Sequence, residues 1–189
     1  MKADFLALAA ALLLALPGVA RADEQVWTRL KTGGQVVLMR HAITTPGVGD
    51  PPGMRLDDCA TQRNLTDEGR RHARQAGEAF RARGVAVEQV LSSPWCRCVE
   101  TAKLAFGRAE ISPALGNLYG RPEARTEQVR AMQAMVGEWR GRGNLVLVSH
   151  GSTIVALTGV HPDSGEMVVV TPQAGGGFVV LGRLAAHSP

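Results

Sequence analysis

Aromatic residues are scarce in this 189-residue chain, only 4% of it. The core must therefore be built from Val, Leu, Ala and Met. No internal repeat and no linker rich in Pro, Gly or Ser divides the chain after its first residues. That excludes a solenoid and points to one folded domain. The charge excess is small, +4 at neutral pH. The arginines are scattered, with no long basic run and no aromatic interleaving, so the pattern excludes a nucleic-acid-binding surface and suits a small anionic substrate. No apolar run reaches the length that spans a bilayer.

Cysteine is nearly absent too: Cys59, Cys96 and Cys98 are the only three. Cys96 and Cys98 are too close in sequence to bridge without strain. Cys59 with either Cys96 or Cys98 is the expected disulfide, leaving one free thiol. A zinc site would need a second close pair or a His at ligand spacing, and neither is there. No metal or other cofactor is expected.

What is present begins at the N-terminus. Lys2, the apolar stretch Phe5 to Leu16 and the small-x-small run Ala20-Arg21-Ala22 have the order of an export signal, expected to cover residues 1–22. A retained anchor is the alternative, disfavoured by the shortness of the stretch. Cleavage after Ala22 would remove Lys2, Arg21 and Asp4, lowering the charge from +4 to +3 and leaving residues 23–189 as the mature domain in the periplasm or outside the cell. No transmembrane segment would remain, and an oxidising compartment would let the disulfide form.

Along that domain, short apolar runs alternate with helical patterns. A short helix is expected over Asp23–Leu30 and strands over Gln35–Met39, Val85–Leu91, near Ile111 and over Asn144–Val148. A closing pair is expected at Met167–Val170 and Phe178–Leu181, turned by Gly175-Gly176-Gly177. Helices are expected from an N-cap at Thr66 to about Ala82, with Leu65, Ala73, Ala76 and Phe80 inward, over Arg97–Phe106, over Thr126–Trp139, and over Thr153–Leu157. The alternation predicts an α/β three-layer sandwich, a mostly parallel sheet with helices on both faces. The segment Thr44–Asn64, with three prolines and three glycines, reads as a long functional loop.

Two of the strands end in histidine. Arg40-His41 closes the first, and Ser149-His150-Gly151 closes the Asn144–Val148 run. Arg97 follows Ser92-Ser93-Pro94 at the start of a helix, whose free N–H groups are expected to face an anion. Ligands of open α/β sheets sit at the carboxyl ends of strands. Two imidazoles and two guanidiniums there would trap a phosphate dianion. Phosphoryl transfer needs a nucleophile in line with the leaving oxygen and positive charge around the equatorial oxygens. His41 fits the first role, and Arg40, Arg97 and His150 the second.

These residues resemble a family. Leu38-Met39-Arg40-His41-Ala42 looks like the Arg-His-Gly signature of the histidine phosphatase superfamily, the phosphoglycerate-mutase-like proteins. Asn64 to Gly69 with Ala73 is similar to its first helix entry, Ser92-Ser93-Pro94 with Arg97 and Thr101-Ala102 to its second arginine motif, and Val148 to Gly151 to its second histidine motif. The resemblance spans about Gly34 to Leu157 and implies a phosphohistidine intermediate on His41. It also implies a phosphomonoester substrate, of which an envelope glycolipid phosphate is one expectation. The chain departs from the family at Ala42 and Ile43 and, more seriously, at Asn117, which stands where the family carries a proton-donating glutamate. An amide cannot protonate a leaving alkoxide. Asp58, in the loop beside Cys59, is expected to replace it, ahead of Asp57, Asp50, Glu100 and Glu123. Without an acid, two other readings open: a non-catalytic phosphate-binding module, or a phosphohistidine-protein phosphatase whose leaving group needs little help.

Overall fold

The computed structural model describes residues 17–185; the expected signal segment lies mostly outside them. The elements are α1 (Pro17–Thr32), β1 (Val36–Arg40), α2 (Asp67–Ala82), β2 (Val87–Ser92), α3 (Cys96–Phe106), β3 (Glu110–Ile111), α4 (Arg125–Gly137), β4 (Asn144–Ser149), α5 (Gly151–Thr158), β5 (Met167–Pro172) and β6 (Phe178–Leu184). Short 3-10 turns lie at Cys59–Thr61, Pro113–Leu115 and Pro122–Ala124. Among the described residues no helix is long and apolar enough to cross a membrane.

The six strands form one sheet in the order β3-β2-β4-β1-β5-β6. Strands β3, β2, β4 and β1 run parallel, while β5 and β6 are antiparallel additions at one edge. Both faces of β1 and β4 are buried, so they read as continuous apolar runs rather than as alternations. The pleat still sorts their side chains. Val37, Met39, Val146 and Val148 face α1, α2 and α3, joined there by Trp27, Leu30, Phe80 and Ala102. Val36, Leu38, Leu145 and Leu147 face α4 and α5, against Met132, Val136 and Ile154. The three-layer sandwich follows from two apolar faces on one sheet.

Local signals hold at most boundaries. The Thr66 hydroxyl accepts from the Gly69 N–H at 3.1 Å, capping α2. Strand β6 runs three residues past its expected end, to Leu184, because that residue packs into the core with Val26 and Trp27. Helix α1 begins at Pro17, six residues before the expected Asp23.

Cys59 is bonded to Cys96, leaving Cys98 free and buried. Two residues along a helix turn a side chain through about 200°. Cys96 thus faces the long loop, while Cys98 faces the core beside the Ser149 carbonyl.

Candidate active site

The parallel pairing of β1 with β4 sets Arg40 opposite Ser149. The next residue on each chain is a histidine, so both imidazoles emerge side by side at the carboxyl end of the sheet. Their ring centres are 5.5 Å apart. Arg97, one residue into α3, comes in from the adjacent strand crossover. Arg40, His41, Arg97 and His150 all line one cleft of about 950 Å³.

His41 is 3% exposed. Its Nδ1 lies 2.8 Å from the Ala42 carbonyl. A carbonyl oxygen only accepts, so Nδ1 carries the proton and the Nε2 lone pair is free. Burial pushes the pKa of His41 down to about 3. The Ala42 bond opposes this, and Arg97, Arg40 and Arg63 add to it. The ring is therefore neutral and nucleophilic across the physiological range.

His150 is 2% exposed and caps the start of α5. Its Nδ1 faces Arg97 Nη2 at 3.4 Å and its Nε2 faces Ser93 Oγ at 2.8 Å. A guanidinium only donates. The neutral ring thus accepts at Nδ1 and donates from Nε2 to the serine. Trp95 packs edge-on against it, with centres 5.1 Å apart. Burial lowers its pKa well below 6.5, and the His41 and arginine charges act the same way.

Arg97 is fully buried. Its Nη1 donates to Asp50 Oδ1 at 2.7 Å and its Nη2 to Asp50 Oδ2 at 3.1 Å. The Arg63 backbone N–H also donates to Asp50, at 3.1 Å. Burial alone would raise the Asp50 carboxyl, but the Arg97 bonds and charge outweigh it and hold its pKa below the ordinary value. Arg40 donates from Nη1 to the Pro162 carbonyl at 2.9 Å and closely approaches Gly151.

Two expectations need correction. Asp58 does not line the cleft. Its carboxylate caps the Cys59–Thr61 turn through the Ala60 N–H at 3.1 Å and pairs with Arg55 at 2.6 Å. The Asx-type cap explains why an aspartate stands there. Nor is the first N–H of α3 open to an anion: Cys96 donates it to Gln62 Oε1 at 3.0 Å. Glu100 pairs with Arg70 at 2.7 Å, away from the cleft. Asn117 does reach the cleft wall, with its Oδ1 occupied by Ser152 Oγ at 2.8 Å and the Tyr119 N–H at 3.1 Å.

Other residues complete the wall. Arg63 adds a third guanidinium, half-buried with its Nε unpartnered. Burial and the neighbouring Arg97 lower its pKa. Tyr119 stands at the rim, 83% exposed, with Arg121, His161 and Asp163 also on the lining. Nothing local marks Arg63, Arg121, His161 or Asp163; only the long loop's length hinted that part of it reaches the site.

Residues 36–116 match the model of the histidine phosphatase superfamily, branch 1. No curated protein matches the sequence. Among solved structures, the protein histidine phosphatase SixA complexed with tungstate superposes with a TM-score of 0.58 at 19% identity, over 80% of this chain and 97% of that one. A phosphoserine phosphatase mutant from Entamoeba histolytica in complex with phosphoserine gives 0.60 at 13% identity, over 80% and 97%. A mycobacterial glucosyl-3-phosphoglycerate phosphatase complexed with VO3 gives 0.54 at 19%, over 74% and 93%. At such identities the likeness is one of fold, and it covers most of the chain. Residues 36–116 thus match the histidine phosphatase superfamily, and the described chain has the phosphoglycerate-mutase-like fold of these structures.

Proposed function

We propose that this protein is an exported phosphatase that hydrolyses phosphomonoesters through a phosphohistidine on His41. One observation carries the reading: a buried neutral imidazole, its free Nε2 held beside three guanidiniums in one cleft. His41 Nε2 attacks phosphorus, Arg40, Arg63 and Arg97 hold the equatorial oxygens, His150 steadies Arg97 through its Nη2 N–H, and water then releases phosphate. The guanidinium charge is pre-arranged where charge gathers in the transition state, which is the largest source of rate in such sites. Phosphoserine and glucosyl-3-phosphoglycerate are ligands or substrates named for fold relatives. The cleft volume of about 950 Å³ suits a leaving group larger than an amino acid, such as a phosphorylated sugar of an envelope glycolipid. The N-terminal pattern and the Cys59–Cys96 bridge support export.

A second reading, a phosphate-binding module without turnover, draws on Asn117 at the wall. Assays with an aryl phosphate and an alkyl phosphate separate the two. Turnover that drops at least about 10³-fold in His41→Ala, with an acid-labile phosphoryl group trapped on the wild type, is expected. Tight phosphate binding with no turnover of either ester would select the module. Turnover retained by His41→Ala would remove His41 as nucleophile. Export is checked by the first residue of protein recovered from the cell envelope fraction: Asp23 is expected, and Met1 would overturn it.

A further inference from the structure

Resting on the phosphatase reading, we infer that Asp50 is the general acid and base, and that it occupies the fork of Arg97 until a substrate phosphate displaces it. Its two carboxylate oxygens take two guanidinium N–H groups of Arg97, the bidentate pattern that two phosphate oxygens would present. The carboxylate therefore offers Arg97 the same pair of acceptors that a phosphate would. A phosphomonoester dianion brings twice the charge to the same donors and competes for them.

The displaced carboxylate changes character. It loses two charge-assisted bonds and faces a dianion inside a half-buried cleft, where like charge favours the protonated form. It is held nearby. The segment Gly47 to Gly53 carries Asp50 between glycines on one side and Pro51-Pro52 on the other. The Cys59–Cys96 bridge fastens the same loop to the residue preceding Arg97. Among the described residues, the only other carboxyl on the cleft wall is Asp163, which is exposed at the rim.

In the first step the bond from His41 Nε2 to phosphorus forms while the bond to the leaving oxygen breaks. The displaced Asp50 carboxylate takes a proton from solvent, and that proton passes to the leaving oxygen. In the second step Asp50, now a carboxylate, takes a proton from water. The water oxygen bonds to phosphorus as the bond to Nε2 breaks. Phosphate leaves, and Asp50 returns its proton to solvent as the carboxylate rebinds Arg97. Asn117 has no part in either transfer, which accounts for an amide being tolerated at that position.

The test compares 4-nitrophenyl phosphate, whose leaving group needs little protonation, with glycerol 3-phosphate, whose alkoxide needs it. Asp50→Asn is expected to lower kcat on the alkyl ester about 100-fold or more beyond its loss on the aryl ester. Asp50→Glu should recover part of that difference. Asp58→Asn, altered outside the cleft, should keep both rates. Inorganic phosphate should bind Asp50→Asn about tenfold or more tightly than wild type, since a competing anion is gone. Equal losses on the two esters, no loss on the alkyl ester, or weaker phosphate binding would overturn the role of Asp50 alone. Absence of turnover by the wild type on both esters would instead sink the phosphatase reading and the acid with it.

Discussion

His41 and His150 are buried as neutral rings among arginines, and that choice has a thermodynamic consequence. The ordinary value for histidine is 6.5, and His41 is held at about 3. Between those values the unfolded chain binds more protons than the folded one, so stability rises with pH there and is lost as pH falls below about 6.5. His150, depressed in the same direction, adds to the loss. So does Asp50 at lower pH, since its depressed carboxyl favours the folded state only while ionised. Melting followed by circular dichroism at pH 7, 5.5 and 4 should show Tm falling steeply with acid. In His41→Asn the fall should be shallower. An equal slope would mean that the ring is not buried neutral.

Among the elements, the contact of α2 with α3 sets where Arg97 enters the cleft. Gly77 is buried at their crossing. A Cβ placed there would lie 1.9 Å from the Ala105 carbonyl oxygen, a backbone atom that cannot turn aside. Gly77→Ala must part the helices, which pack Phe80 and Ala102 into the same core. Overpacking of this kind costs about 1–3 kcal/mol, so a scanning melt should show Tm lower by roughly 3–10 °C. An unchanged Tm would mean that the two helices separate freely. The helices themselves were legible: Thr66 caps α2 and Gly107, at φ 74°, ends α3. Their closeness was not, because a glycine inside a helix reads only as a weak position until the neighbour that needs it is known.

At the scale of the whole molecule, the Cys59–Cys96 bridge closes a loop across 37 residues. Chain entropy gives such a loop about 4 kcal/mol of stabilisation. The loop includes Arg63 and the whole of α2, and its cysteines pin the Asp50 segment against the start of α3. Cys59→Ser with Cys96→Ser should therefore lower Tm by roughly 10 °C and slow turnover of an alkyl ester as well. A loss of stability alone would show that the loop holds its place without the bridge.

Sequence alone determined the sheet, the two histidines at its carboxyl edge and the arginines beside them. Those features follow from local periodicity, from strand ends and from motifs read along the chain. It also narrowed the disulfide to two pairings. The tertiary structure decided between Cys96 and Cys98, because a helix sends positions two apart to opposite sides. It moved the candidate acid from Asp58 to Asp50. Two carboxylates eight residues apart in one irregular loop carry the same local signal. Only the path of that loop across the cleft places one of them on Arg97 and leaves the other capping a turn.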